Sequence, residues 1–449
     1  MTKKNNFQKS PPVNQVTQKT KSLLIIKLFK HFYLPQFNSE KKVITVIYLF
    51  LIILLLTSCG NSGKETNNND AQKKTDKVET VRSTVNVYLE NSGSMDGYVK
   101  GVTEFEQIIY NYLIEIKNSE FSNAFNLFYI NSRIIPYGSD ISHFIENLEP
   151  ETFKKRGGNR GTTDISNILD SVLRETDSTE IAIFITDGIF SPGKGIDASQ
   201  YLVNQQIRIK SIMADYLRIY PKTAVIIYQL LSQFNGQYYN REDMGTKINE
   251  KRPFYIWIIG QTDFLNDLIQ KVPESRFIGS GVQNVFSLTR GTKEVDYAIK
   301  PGSGNFHLDK NNPKTTLENL KIETKGSKNT VRFSVNVNFS GFLLSENYLN
   351  DVSNYEVNNN FYYLTISRLN KNNRGYTHQL NFESNSVHKG IISVKLRKRI
   401  PNWAEDTNDD DGSRPLKGKT FGIKYQINGI YEAFTITDDY YTEIKINIK

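Results

Sequence analysis

The sequence predicts an α/β fold built on a doubly wound, mostly parallel sheet, followed by a C-terminal β-sandwich-like domain. Three observations carry this prediction. Across residues 83–285, short apolar runs alternate with stretches of helical periodicity, which implies parallel strands joined by right-handed crossovers. Residues 181–186 form one unbroken apolar run, as expected of a central strand covered on both faces. Beyond about Pro301 the apolar spacing shortens to two, the period of half-buried strands.

The chain begins with a leader. Residues 1–58 hold nine of the 56 basic side chains and one of the 47 acidic ones, so the net charge of +9 belongs largely to this segment. The remainder is almost neutral and gives no support for a nucleic-acid partner, which a basic patch on the folded part would attract. Lys41 and Lys42 precede fourteen largely apolar residues, 43–56, too few to span a bilayer comfortably and suited to a signal-peptide apolar region. Leu56-Thr57-Ser58-Cys59 resembles a bacterial lipobox, in which the cysteine thiol is acylated and becomes the new N-terminus. That implies a protein anchored to the bilayer through Cys59 in the bacterial cell envelope, on the outer membrane or the periplasmic face. The plainer alternative is an uncleaved signal anchor ending in an incidental cysteine. Cys59 is the only cysteine, so no intrachain disulfide can form. Residues 59–82 are rich in Asn, Lys and Thr and too poor in apolar groups to offset the entropy of folding; they read as a tether.

The first folded domain, 83–285, then alternates its elements. Val85, Val87 and Leu89 mark a strand leading to Glu90. Phe105, Ile108, Ile109, Tyr112, Leu113 and Ile116 recur at helical spacing and give one apolar stripe. Residues 124–130 read as a strand and 164–173 as a helix capped by Thr163 or Asp164. A long helix over 198–220 leads to a strand at 224–230, and a further strand at 254–259 precedes a helix at 264–272. Residues 232–252 stand where a crossover belongs, yet they are polar and lack helical periodicity. They read as an irregular loop or an extra hairpin.

In the second domain, 300–449, Val331, Phe333, Val335, Val337 and Phe339 alternate with polar residues. Ile392, Val394 and Leu396 do the same, as do Ile444, Ile446 and Ile448. Asn-, Gly- and Asp-rich loops separate these strands, which suggests a sandwich of immunoglobulin size.

The residues that carry chemistry cluster in three places. Glu90, Ser92 and Ser94 fall at i, i+2 and i+4 where the first strand enters a loop, with Gly93 allowing a sharp turn. Gly161-Thr162-Thr163-Asp164-Ile165 opens a helix. Thr186-Asp187-Gly188 ends the central strand in a carboxylate and a turn, and ligands in such sheets sit beyond the carboxyl ends of the strands. Together these resemble the metal-ion-dependent adhesion site of von Willebrand factor A domains, a family with a Rossmann-like sheet. Its pattern is Asp-x-Ser-x-Ser, a Thr in a Gly-Thr-Asn/Asp-Ile-like turn, then Thr-Asp-Gly. Glu90 stands where the family has Asp.

The resemblance covers residues 83–285 and implies a site for Mg²⁺, Mn²⁺ or Ca²⁺. Ser92, Ser94 and Thr163 would be direct ligands, with Glu90 and Asp187 acting through water or hydrogen bonds. Neutral hydroxyls leave such an ion underneutralised, so an acidic side chain of a protein partner completes its sphere. Thr162 takes the place of Thr163 if the turn is offset by one. The longer arm of Glu90 either crowds the site or reaches the metal directly. The ordinary alternatives are turn chemistry for Ser92 and Ser94 and a strand-end cap for Asp187.

The neighbouring run Lys154-Lys155-Arg156-Gly157-Gly158-Asn159-Arg160 would steer acidic partners toward a metal, or else is a solvated loop. Residues 406–412 look superficially like a calcium loop, but the glycine is misplaced and an exposed turn is the simpler reading. Enzyme signatures are missing: the five His residues lack metal-ligand spacing, and there is neither a Gly-x-Ser-x-Gly elbow nor a phosphate-binding loop. The expectation is a non-enzymatic, metal-dependent binding protein. A metal-free scaffold and a hydrolase using the same crevice are its rivals.

Overall fold

A seven-stranded mixed sheet organises the first half of the folded chain. The structure, a computed structural model, describes residues 83–161, 164–325, 328–370 and 375–449. The leader, Cys59 and the tether therefore lie outside the described residues, as do Thr162 and Thr163. The strands are β1 (Ser83–Glu90), β2 (Ser122–Ile130), β3 (Ile134–Gly138), β4 (Glu180–Thr186), β5 (Thr223–Tyr239), β6 (Gly245–Gln261) and β7 (Val282–Thr289), in the spatial order β3-β2-β1-β4-β6-β5-β7. Only the β2–β1 and β1–β4 contacts are parallel; the β3–β2, β4–β6, β6–β5 and β5–β7 contacts are antiparallel. The class is α/β with mixed sheets, and the expectation of a mostly parallel sheet is corrected.

The cause lies in 232–252. This segment is the continuation of two 17-residue strands paired from Thr223↔Gln261 to Tyr239↔Gly245, so it is a hairpin, not a crossover. Its polar sequence fits strands that leave the sheet and face water on one side. Asn240 closes the turn by accepting from the backbone N–H groups of Glu242 and Met244 at 3.0 and 2.9 Å.

Helices cover both faces of the sheet. α1 (Glu104–Asn118) buries the six apolar residues of its stripe against one face, together with α2 (Ile141–Glu146), α3 (Pro150–Lys155) and α6 (Thr262–Lys271). Each such side chain contributes about 1.5–3 kcal/mol on removal from water. α4 (Ile165–Arg174) and α5 (Ala198–Ile219) cover the other face. Asp164 caps α4, accepting from Ser166 and Asn167 N–H at 2.9 and 3.2 Å.

The expected alternation in the C-terminal half is present, with Val331, Phe333, Val335 and Val337 buried in Lys328–Val337. This strand pairs antiparallel with His378–Ser384, and Gly390–Arg397 pairs antiparallel with Tyr440–Ile448 in a second sheet. A helix, Ile423–Phe434, interrupts this β-rich region and packs against α5. Its buried Ile423, Ile427, Ile430 and Phe434 join a hydrophobic cluster that also contains Trp257 of the first sheet and Val335 of the second half. That cluster runs without a break from one half to the other. No helix among the described residues is long and apolar enough to cross a membrane.

Candidate functional site

The parallel strands β2, β1 and β4 bring their carboxyl ends to one edge, and the register β1–β4 pairs Leu89 with Ile185. Glu90 therefore sits beside Thr186, and Asp187 follows one residue on. Glu90 is fully buried, and its carboxylate accepts a hydrogen bond from the Thr186 hydroxyl. Thr186 Oγ1 in turn accepts from Gly188 N–H at 2.8 Å. Asp187 is 1% exposed; its Oδ1 accepts from Ile189 N–H at 3.1 Å, while its Oδ2 has no hydrogen-bond partner among the described residues. Burial pushes the Asp187 carboxyl up; the Ser94 hydroxyl, which is near the carboxylate but makes its geometrically sound hydrogen bond to Ser92, the Ile189 N–H and the charge of Arg252 pull it down.

Ser92 and Ser94 lie in the next stretch, where Gly93–Gly97 forms a 3₁₀ turn, and their hydroxyls are 2.8 Å apart. Gly93 does not adopt a left-handed backbone, whereas Gly188 does, at φ +68°, where a β-carbon would stand 3.0 Å from the Tyr255 ring. The structure thus brings together Glu90, Ser92, Ser94 and Asp187, four of the five predicted metal-site residues. The fifth, Thr163, and its alternative Thr162 fall outside the described residues, between Gly161 and Asp164.

Several residues that hold this arrangement were not foreseen. Arg160 threads back under the loop, donating to Asn91 O at 2.7 Å and Ser92 O at 3.1 Å and pairing with Asp96. Burial raises the Asp96 carboxyl despite that guanidinium. Asn91 and Asn131, which follow adjacent parallel strands, are joined at 2.9 Å. Their matching positions just past two strands were a readable signal. The hairpin supplies Tyr239 and Asp243 to a crevice of about 420 Å³ that Ser92, Ser94, Lys154 and Arg160 also line. Gly236 lies so close to the turn that a β-carbon there would meet Gly97 Cα at 2.6 Å. From the far half of the chain, Gln426 donates to Gly188 O at 2.6 Å, and Thr420 meets Tyr255 Oη at 3.0 Å.

The basic run is largely committed locally. Lys154 pairs with Glu151 at 2.8 Å, Arg156 lies 4.7 Å from the Tyr137 ring centroid, and Arg160 is held as described. The 406–412 segment departs from a simple exposed turn. Asp410 and Asp411 are exposed, but Asn408 and Asp409 are buried and pair in parallel with Thr420–Phe421.

Among the described residues no three His, Cys, Asp or Glu side chains converge as a metal cage. A hydroxyl-dominated site would not take that form. The donors present fit a hard divalent cation: two hydroxyl oxygens 2.8 Å apart match adjacent corners of an octahedron with ligands at about 2.1 Å, and a buried carboxylate oxygen stands without a partner. The chain matches no protein-family model, no curated protein and no solved structure.

Proposed function

We propose that this protein is a lipid-anchored envelope protein that uses its strand-end crevice to hold a divalent cation, Mg²⁺ or alternatively Mn²⁺ or Ca²⁺. Through that ion it binds an acidic side chain of a protein partner. The unpartnered Oδ2 of Asp187 carries this reading, because a buried carboxylate oxygen without a donor is costly unless a cation meets it. Ser92, Ser94 and Thr163 would supply neutral oxygens, and Glu90 and Asp187 the compensating charge. Under this reading residues 83–285 are a von Willebrand factor A-like unit with a reversed strand next to β4, and 300–449 is a sandwich-like support.

A second reading rests on Glu90. Its carboxylate is already engaged by Thr186, so its longer arm fills the space a metal would take, and the protein is a metal-free scaffold. Calorimetric titration with Mg²⁺ and Mn²⁺ separates the two. In the first reading the native protein binds, Glu90→Asp preserves or tightens binding, and Asp187→Ala weakens it strongly. In the second, binding arises only in Glu90→Asp. Absence of binding in all three folded proteins removes the adhesion mechanism altogether. Anchoring is tested separately: Cys59→Ser should leave the protein unprocessed or release it from membrane fractions, and unchanged detergent partitioning would refute the lipobox.

A further inference from the structure

A second cavity, away from the strand-end crevice, lies where β7, the last strand of the first sheet, meets the C-terminal half. It encloses about 360 Å³ and is lined in part by Glu274, Asn347, Asp351, Arg399, Asn402 and Trp403. The side chains of Glu274, Asn347, Arg399 and Asn402 make no hydrogen bond or ion pair with the protein among the described residues. Trp403 is fixed in place, its Nε1 donating to Val285 O at 3.3 Å. A further cavity of about 540 Å³ shares Ser353, Arg399, Ile400 and Asn402 with the first, so the two adjoin.

The chemistry of this lining is specific. Amide, guanidinium and carboxylate groups each present donors or acceptors in a plane, at the spacing of neighbouring hydroxyls on a sugar ring. An indole offers a flat apolar surface for the C–H face of the same ring. Charge is mixed, since Glu274 and Asp351 oppose Arg399, and this gives no preference for an anion. Strand addition by a peptide is disfavoured, because the outward carbonyls of Val285 and Ser287 on β7 are already taken by Trp403 Nε1 and, at 2.8 Å, by Tyr441 Oη. We infer that this groove binds an uncharged oligosaccharide, with Trp403 packing against one pyranose ring and Asn347, Asn402, Arg399 and Glu274 reading its hydroxyls.

The chain carries its own reporter. It has two tryptophans; Trp257 is fully buried, and Trp403 is half-buried in the groove. The full-length protein would be titrated with hexasaccharides of β-1,4-linked glucose, β-1,4-linked N-acetylglucosamine and α-1,6-linked mannose, and with hexagalacturonate as the charged arm. The expected result is a saturable change in tryptophan emission with at least one uncharged sugar, unaffected by chelator. Trp403→Ala should weaken calorimetric binding at least tenfold. Asn402→Ala, a milder change at an exposed position, should weaken it severalfold and decides the matter if the tryptophan variant misfolds. A response to hexagalacturonate alone, no response to any sugar at millimolar concentration, or unchanged affinity in the folded variants would overturn the assignment.

Discussion

Arg252 and Asp187 are both 1% exposed, yet the protein treats these two buried charges in opposite ways. Arg252, at the base of the hairpin, is saturated. It pairs with Glu250 at 3.1 Å, donates to Leu416 O at 3.4 Å and Lys419 O at 2.8 Å, and lies 4.6 Å from the Tyr238 ring centroid. Asp187, at the end of a parallel strand, keeps one oxygen without a donor. A saturated buried charge locks segments together, here the hairpin to the loop before Thr420. An unsaturated one holds a cost in reserve for whatever binds it. The antiparallel side of the sheet thus spends its buried charge on cohesion, whereas the parallel side leaves a buried carboxylate oxygen without a hydrogen bond.

The comparison breaks most visibly at Arg252. Arg252→Met should destabilise the fold by about 3–5 kcal/mol, because it strips donors from two carbonyls and detaches the hairpin from the C-terminal half. Urea denaturation measures this, and a loss below about 1 kcal/mol would mean that water replaces the guanidinium without cost.

Lys398 is an intermediate case. It is 2% exposed, bonded to Gly291 O and Asp438 O at 3.2 and 3.0 Å, and burial lowers its pKa from 10.5 to about 8. Between those values the unfolded chain binds more protons than the folded one, so stability should rise as pH climbs from about 8 toward 10.5. The whole gain is about 3 kcal/mol at most. Lys398→Met should flatten this rise, and a pH series of denaturation midpoints for the two proteins shows whether it does.

The smallest effect has the opposite sign. Asp187→Asn should stabilise the metal-free protein by about 1–2 kcal/mol, because it replaces an underpartnered charge with a neutral amide that retains the acceptor for Ile189 N–H. The same change should abolish any rise in melting temperature on adding Mg²⁺ or Mn²⁺. A destabilised variant would place Asp187 with Arg252 among the structural charges.

Much of the first sheet was legible because helical and strand periods differ. The stripe from Phe105 to Ile116 and the run through Ile183 each admit one reading, and both stand in α1 and β4. Strand direction was not legible. The buried runs through Ile226 and Ile258 look alike whether their strands run parallel or antiparallel, since both faces are covered either way. Polar residues 232–252 left a loop and a hairpin both open, and the structure takes the hairpin; its inner face is supplied sparsely, chiefly by Phe234 and Tyr238, so periodicity could not decide between them. At the candidate site, strand ends placed Glu90 and Asp187, while Ser92 and Ser94 were picked out by their resemblance to the adhesion-site motif. Arg160 and Gln426 did not, because each acts on backbone carbonyls, which leave no pattern in the side chains. The C-terminal helix was hidden by its surroundings: Ile423, Ile427, Ile430 and Phe434 keep helical spacing, but the strands on either side set the period of the region.

The bond from Gln426 to Gly188 O joins residues 238 positions apart. During synthesis, β1, β4 and their helices emerge long before Gln426, so the turn after Asp187 stays unbraced while the rest of the sheet can already form. The crevice would therefore mature late. A nascent or truncated chain would present the turn after Asp187 without this bond until the helix carrying Gln426 docks. Timing, as well as geometry, is written into that single amide.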